Sequence, residues 1–498
     1  MKALSVLTLW LAMAPVPSAR AATAIPTVLL PIPSSPLVTF RIQFGAGAVD
    51  DPTGQRGLTR LTASMLSQGG TRTYAYEEIV QRLYPMAASV TAYVDKEVTT
   101  FVGTTHVDNL DAYLGLLVQI IAEPRFDPRD FERIRTSQVN YLANSLRGSN
   151  DEELGKQSLG VLLYAGHPYG APNEGWVSNL DAITLDDVKA HYARCFTIDN
   201  VTVGISGGYP PALVERVTRA LQNLPAGRPA RGTLATPSPI LDVEVLAVEK
   251  DCMATAISIG YPIDVTRSDP DFYALLVANS HLGEHRTFNG RLMNRMREVR
   301  GLNYGDYSYI EHFVQDGGST YPLTNLTRSQ QYFSIWIRPV QHQHRHFALR
   351  LAIWELDRLV RGGMTQEELD ETRTFLKNYS RLWAQDQSRR LGYLMDSRFY
   401  GIDDYLATLP AKLDALTLDQ VNAAIKLHLQ FNRLRVAIVT RGADEFLNDL
   451  ITNQASPMTY DAEGIPEDVI AEDRAIAVYK LNVNRAASKI VDVEEMFK

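Results

Sequence analysis

Cysteine is scarce in this sequence, since Cys195 and Cys252 are the only two among 498 residues. A fold that depends on several disulfide bonds is therefore excluded. One bridge between these two thiols remains an alternative in an oxidising compartment. Two separate buried thiols are the simpler expectation.

A surplus of positive charge is also missing. The chain has 49 Lys and Arg residues against 57 Asp and Glu residues, which gives a formal net charge of -8. Binding to the phosphate backbone of a nucleic acid depends on clustered positive charge. We therefore expect no nucleic acid among the main partners of this protein.

Long apolar runs are limited to the N-terminus. Lys2 precedes the apolar run Leu4–Met13, and the small-residue cleavage pattern Ala19-Arg20-Ala21 follows it. This arrangement is typical of a secretory signal peptide, and the run is too short to span a bilayer. We predict a signal peptide at residues 1–21, no membrane span in the remaining chain, and export to a bacterial periplasm.

The chain contains an internal repeat. The segment Asn179–Val188, NLDAITLDDV, returns as Lys412–Val421, KLDALTLDQV. Each copy predicts a helix, capped by Thr184 in the first and by Thr417 in the second. An alternating strand pattern follows both copies at the same offset. A repeat of this length indicates two homologous domains.

A stretch rich in Pro, Gly and small residues, Pro225–Pro239, lies between the two copies and is typical of a linker. We predict an N-terminal domain at residues 22–224, a linker at 225–242 and a C-terminal domain at 243–498. Each domain is expected to be α+β, with an antiparallel-rich sheet covered by helices. Near the C-terminus, Ala475–Leu481 is predicted to form a late strand.

One strand and one helix of the first domain determine the functional prediction. Val38–Phe44 alternates apolar and polar residues and predicts a half-buried strand. After a turn, Leu58, Leu61, Met65 and Leu66 recur at helical spacing and predict a short amphipathic helix. Residues four apart on such a helix share one face and can hold a metal ion between them.

This helix has the layout GL-x-x-x-x-x-x-ML, which resembles the start of the insulinase/pitrilysin zinc peptidases, the inverzincins. The loop His167–Gly170, HPYG, resembles a loop of the same family. In that family the helix carries H-x-x-E-H, in which two histidines bind zinc and the glutamate activates a water. The resemblance places Arg60, Ala63 and Ser64 at these three positions.

The resemblance also implies a third zinc ligand, a Glu, on the helix predicted over Phe131–Arg147. No Asp or Glu occurs from Arg133 to Ser149, and Asn140 lies near the expected position. Because the guanidinium of Arg60 would repel Zn²⁺, we expect no metal or other cofactor in this chain. The fold implied is half of a clamshell, in which two subunits of two such domains each close around a peptide.

A second family motif is retained in the C-terminal half, at Arg297–Tyr304, REVRGLNY. The resemblance implies that Arg297 and Tyr304 bind the substrate backbone and steady the tetrahedral intermediate at a zinc site that they face. Both side chains can donate hydrogen bonds to a developing oxyanion. The alternative is an arginine that only stabilises a helix C-terminus, where Arg295 or Arg300 could serve equally.

The literal sequence H-x-x-E-H occurs elsewhere in the chain, as His281, Glu284 and His285. It lies in the second half, where the family has a Gly-rich turn, and Gly283 inside the motif argues against a stable helix. A third ligand for this alternative zinc site would come from Glu367, Glu368 or Glu371.

These observations lead to one main hypothesis and two alternatives. The main hypothesis is a non-catalytic subunit of a heteromeric periplasmic zinc peptidase, inactive alone, whose partner is a homologous subunit with an intact H-x-x-E-H and bound zinc. In that complex Arg297 and Tyr304 would act on peptide substrates at the partner's zinc. The first alternative is a peptide-binding or structural protein without an enzyme partner. The second is a zinc peptidase that uses His281, Glu284 and His285.

Overall fold

The fold consists of two mixed sheets, one built from each half of the chain. The computed structural model describes residues 24–460 and 463–498, so the predicted signal peptide lies outside the described residues. In the described part of the chain, no helix is both long enough and apolar enough to cross a bilayer.

The first sheet has the strand order β1-β5-β2-β4-β3, and every neighbouring pair except β1–β5 is antiparallel. The predicted strand at Val38–Phe44 is confirmed as part of β2. Its apolar residues pack against α3 and neighbouring elements in one core. The strands are β1 (Thr27–Pro31), β2 (Leu37–Phe44), β3 (Thr91–Val94), β4 (Thr99–His106) and β5 (Val201–Gly207).

Eight α-helices belong to the first half in the described part of the chain. They are α1 (Leu58–Gln68), α2 (Tyr76–Leu83), α3 (Leu110–Ala122), α4 (Pro128–Asn140), α5 (Asp151–Leu163), α6 (Val177–Ala182), α7 (Leu185–Cys195) and α8 (Ala212–Ala220). A π-helical segment, Tyr141–Ser149, continues α4. The helix predicted from the spacing of Leu58, Leu61 and Met65 is thereby confirmed as α1.

The second sheet has the order β11-β6-β10-β7-β9-β8, with parallel pairs at the β11 end and antiparallel pairs from β10 onward. Its strands are β6 (Glu244–Glu249), β7 (Thr255–Ile263), β8 (Asp306–Tyr309), β9 (Gln331–Val340), β10 (Arg435–Thr440) and β11 (Lys489–Asp492). Its helices are α9 (Phe272–Gly283), α10 (Arg345–Gly362), α11 (Gln366–Trp383), α12 (Gln387–Tyr400), α13 (Tyr405–Asp414), α14 (Leu418–His428), α15 (Ala443–Thr452) and α16 (Glu467–Ile476).

The repeat is visible in the helix starts. Thr184 caps α7 and Thr417 caps α14, each in a reciprocal capping box with the residue three positions later. The strands β5 and β10 follow these helices and lie inside their respective sheets. The prediction of two homologous α+β units with antiparallel-rich sheets and covering helices is confirmed.

The predicted late strand at Ala475–Leu481 is wrong. Helix α16 continues to Ile476, and the strand that completes the second sheet is β11, further along the chain. A turn follows α16, and Val478 within it is 61% exposed and pairs with no strand. The expectation of separate thiols holds, since Cys195 and Cys252 are both buried and free.

The two halves exchange one helix each. Helix α5, from the first half, packs on β7 and β10 of the second sheet, and α12, from the second half, packs on β1, β2 and β5 of the first sheet. Glycines allow this close approach: a Cβ on Gly260 would lie 3.3 Å from Leu159, and one on Gly204 would lie 2.6 Å from the sulfur of Met395.

Hydrogen bonds fix both exchanged helices. Arg435 of β10 donates to the carbonyl of Leu163 at 2.9 Å. Arg41 of β2 donates to the carbonyl and the hydroxyl of Ser388, at 2.9 and 3.0 Å. Each sheet therefore depends on a helix of the other half for part of its cover.

Candidate functional site

Helix α1 is held at its start by a buried carboxylate. Asp51 accepts hydrogen bonds from the backbone N–H of Gly57 at 2.8 Å and of Thr59 at 2.7 Å, and from the Thr59 hydroxyl at 2.6 Å. Burial raises the pKa of Asp51 to about 6. The first turn of α1 has unpaired N–H groups that a carboxylate stabilises, so this contact fixes the positions of the side chains that follow.

The three positions that resemble the zinc motif do not fit a zinc ion. Ala63 and Ser64 are buried within α1, and Arg60 is only partly exposed. Asn140 is exposed, and its side-chain oxygen accepts from Asn144 at 3.3 Å. Zinc in proteins is held by thiolate, imidazole or carboxylate groups, and these residues supply none. Nowhere in residues 24–460 and 463–498 do three or more such groups cluster as metal ligands would.

The guanidinium of Arg60 faces a cavity of about 410 Å³ that lies between the two halves of the chain. Tyr93 and Tyr141 line it from the first half, and Tyr307 and Arg338 line it from the second. We call this space the inter-half cavity. It has an aromatic and charged wall and lies beside the degenerate helix.

A buried ion pair closes one side of the inter-half cavity. Arg328 donates to both carboxylate oxygens of Asp95, at 2.7 and 2.6 Å, and neither residue is more than 5% exposed. Burial alone would raise the pKa of Asp95, but Arg328 holds it well below its usual range. This pair joins the β3–β4 turn of the first half to the loop before β9 of the second.

The rest of the β3–β4 turn is buried as well. Lys96 donates to the carbonyl of Ala171, and burial, reinforced by Arg328, lowers the pKa of Lys96 to about 7. Glu97 accepts from the backbone N–H of Ser329 at 2.6 Å and from the hydroxyl of Tyr169 in the HPYG loop. No local pattern could reveal the buried contacts, because their partners come from distant parts of the chain.

Arg297 and Tyr304 lie close together on the surface of the second half. The Arg297 guanidinium stands over the Tyr304 ring at 4.7 Å and over the Phe288 ring at 5.4 Å. Tyr304 is 73% exposed. Between them the π-helical segment Met293–Glu298 ends, and Gly301 has a φ of 63°, the left-handed conformation that commonly follows a helix end.

The neighbouring arginines are engaged differently. Arg300 is buried and donates to Glu472 at 2.6 Å and to Asp473 at 2.8 Å, and Arg295 also pairs with Glu472. Arg297 pairs only weakly, with Glu298 at 3.6 Å. Of the three arginines, Arg297 is therefore the one most available to a ligand, while its role stays a prediction.

The residues of the second H-x-x-E-H point to different environments. His281 lies in the last turn of α9, 3.7 Å from Glu368. His285 follows the helix and hydrogen-bonds to the Tyr309 hydroxyl at 2.6 Å and to Gln315 at 3.2 Å. Burial raises the pKa of Glu284, between them, to about 7. Because α9 ends at Gly283, the two imidazoles do not share one helix face as a zinc motif requires.

Comparison with known proteins gives matches along both halves. Residues 27–160 match the profile described as Insulinase (Peptidase family M16), and residues 182–376 match the one described as Peptidase M16 inactive domain. These matches confirm the family resemblance that the sequence motifs indicated.

Individual relatives agree with this assignment. The chain is 25% identical over 403 residues to the Non-peptidase homolog YmxG of Helicobacter pylori, covering 80% of this chain and 87% of that protein. A crystal structure of a peptidase M16 inactive domain from Pseudomonas fluorescens superposes with a TM-score of 0.73 at 23% identity, covering 83% of this chain and 95% of that one. The periplasmic protease PqqL from Escherichia coli superposes with a TM-score of 0.61 at 15% identity, covering 82% of this chain and 43% of the PqqL chain.

Proposed function

Because the chain belongs to the M16 insulinase family and lacks that family's zinc ligands, we propose that it is the non-catalytic subunit of a two-chain periplasmic zinc peptidase. The observation that carries the proposal is a contrast within one molecule. The zinc positions are replaced by Arg60, Ala63 and Ser64, whereas Arg297 and Tyr304 are retained, with the partly exposed Arg297 stacked over the exposed ring of Tyr304.

In this proposal the chain supplies one wall of the chamber and two hydrogen-bond donors. The partner is a homologous subunit with an intact H-x-x-E-H, and its zinc and glutamate activate the water that attacks the peptide. The guanidinium of Arg297 and the hydroxyl of Tyr304 then donate to the substrate backbone and to the oxyanion that develops at the scissile carbonyl. Donors held in place before the reaction stabilise such charge efficiently.

Location in the periplasm rests on the predicted signal peptide at residues 1–21. Peptides and small unfolded proteins are the proposed substrates, because a closed chamber excludes folded ones.

The test is co-expression of this chain with a homologous subunit that carries an intact zinc motif. We expect cleavage of a quenched-fluorescent peptide by the pair and none by this chain alone. Arg297→Ala should lower kcat in the pair by about 100-fold, the usual effect of losing an oxyanion donor. Arg441→Ala is the control, since Arg441 lies in the same half, is 63% exposed and makes only a 3.9 Å ion pair. Equal rates for the two variants would overturn the proposed role of Arg297.

A second candidate function is peptide binding without an enzyme partner. It is favoured by β3, which lies at the edge of the first sheet and contributes Tyr93 and Val94 to the inter-half cavity. An unpaired strand edge can accept an extended peptide through main-chain hydrogen bonds. Peptide binding in every mixture tested, with cleavage in none, would favour this function over the first.

The zinc-peptidase alternative at His281, Glu284 and His285 has its own test. Metal analysis by mass spectrometry should find no zinc in the purified chain whose binding depends on His285, so His285→Ala should leave the metal content unchanged. About one zinc per chain, lost in that variant, would move the active site into the second half.

A further inference from the structure

The replacement of the first zinc histidine by Arg60 leaves a cation in the wall of the inter-half cavity. In the described part of the chain, the Arg60 guanidinium has one hydrogen-bond partner, the carbonyl of Ala92 at 3.4 Å, and no carboxylate pairs with it. That bond is at the weak end of the accepted range. A guanidinium has five N–H donors, so most of those on Arg60 are open to a ligand.

Three other cations of the cavity wall are already paired with carboxylates. Arg328 is bonded to Asp95, and Arg338 donates to Glu152 at 3.1 Å. Lys156 donates to Glu152 at 2.8 Å and lies over the ring of Trp336 at 3.9 Å. Arg60 therefore differs from these three in having its charge uncompensated by an ion pair.

Tyrosines line the cavity together with Arg60. Tyr141 is 36% exposed beside Arg60, and Tyr93 projects from β3 into the same space. Burial raises the pKa of Tyr141 well above its usual value, with Glu174 contributing to the rise, so its hydroxyl keeps its proton at neutral pH. Hydroxyl groups of this kind can donate to a bound anion alongside a guanidinium.

Glu174 is a counter-charge within the same wall. Its field acts on both Tyr141 and Lys96, and no ion pair holds its carboxylate within the described residues. It opposes an incoming anion, so its removal should strengthen anion binding while removal of Arg60 weakens it. A purely structural role for Arg60 would not give effects of opposite sign.

We propose that Arg60 turns the lost zinc position into a carboxylate-binding subsite, in which a peptide places a C-terminal or side-chain carboxylate against Arg60 in the inter-half cavity. A planar guanidinium matches a carboxylate with two parallel hydrogen bonds. Every residue of this subsite lies in this chain, so the proposal does not depend on the zinc-bearing partner.

The experiment is isothermal titration calorimetry of the full mature chain at low salt, with matched peptides. N-acetyl-Ala-Phe-Ala with a free C-terminus and its C-terminal amide test the terminal carboxylate. N-acetyl-Ala-Glu-Ala-amide and its Gln analogue test the side chain. We expect at least one acid to bind about tenfold more tightly than its neutral analogue, as charge-assisted hydrogen bonds imply. The pair that shows the difference identifies the source of the carboxylate.

Variants then separate the roles of the residues. Arg60→Gln should abolish the preference for the acid, Arg60→Lys should retain part of it, and Glu174→Gln should increase it. Arg219→Gln is the control, because Arg219 is 74% exposed and remote from the cavity. Equal binding of acid and amide by the unaltered chain, or no binding of either acid at millimolar concentration, would overturn the proposal even if Arg60→Gln fails to fold.

Discussion

The ion pair between Asp95 and Arg328 should be one of the strongest links between the two halves. Two hydrogen bonds join the side chains, and both are almost fully buried. Asp95→Asn keeps the shape of the side chain but leaves the Arg328 charge buried without its counter-charge. Breaking one partner of a buried pair costs about 3–5 kcal/mol, and we expect a loss of that size in the free energy of unfolding.

Urea unfolding of Asp95→Asn, Arg328→Met and the double variant measures this effect as a cycle. The double variant should lose less than the sum of the single losses, because it leaves no unpaired charge. Lys377→Met is the control, because it breaks an ion pair on the surface. The side chain of Lys377 is 32% exposed and that of its partner Asp414 is 54% exposed. This variant should lower the free energy of unfolding by about 1 kcal/mol or less. A cost for Asp95→Asn as small as that of the control would refute the reasoning.

Three further predictions concern the fold. Gly392→Ala should lower the free energy of unfolding by about 1–3 kcal/mol, because the new Cβ would lie 2.0 Å from the Thr324 hydroxyl. Gly155→Ala is the control in the same urea assay. Its Cβ would make only an ordinary 3.4 Å contact, so the variant should be neutral or stabilising. Burial raises the pKa of Asp306 to about 8 in the folded state, so the unfolded state loses this proton at a lower pH. The free energy of unfolding should therefore fall as the pH rises from about 4 to 8. Asp306→Asn should flatten that decline in unfolding curves measured across this pH range. Phe497→Ala should cost about 3–5 kcal/mol in thermal or urea unfolding, because this ring is fully buried against Trp176; a loss below 1 kcal/mol would mean that the C-terminus is not docked there.

Local patterns predicted the elements on which the site is built. The period-two alternation of Val38–Phe44 and the helical spacing of Leu58 to Leu66 correspond to burial in β2 and α1. The left-handed Gly301 was predictable as well, because a glycine there ends the helix between Arg297 and Tyr304. These features depend on residues close together in the sequence.

The contacts that shape the cavity were not predictable in that way. Asp95, Lys96 and Glu97 form a charged turn, a composition that is usually solvated, yet all three are buried. Their burial depends on the loop before β9 and on the HPYG loop, which single-sequence patterns cannot place beside the turn. The second H-x-x-E-H shows the opposite case. Its sequence matches the zinc motif, but α9 ends at Gly283, inside the motif, so its residues do not lie on one helix.

The exchange of α5 and α12 has a consequence for dissection of the protein. A fragment ending before Pro225 would carry α5 without the second sheet that buries Leu159 and Leu163, and the complementary fragment would carry α12 without β5. Neither fragment should behave as an autonomous domain, and each should aggregate or remain partly unfolded when made alone. Produced together, the two should reassemble without the covalent link, since the link contributes proximity while the exchanged helices contribute the mutual recognition.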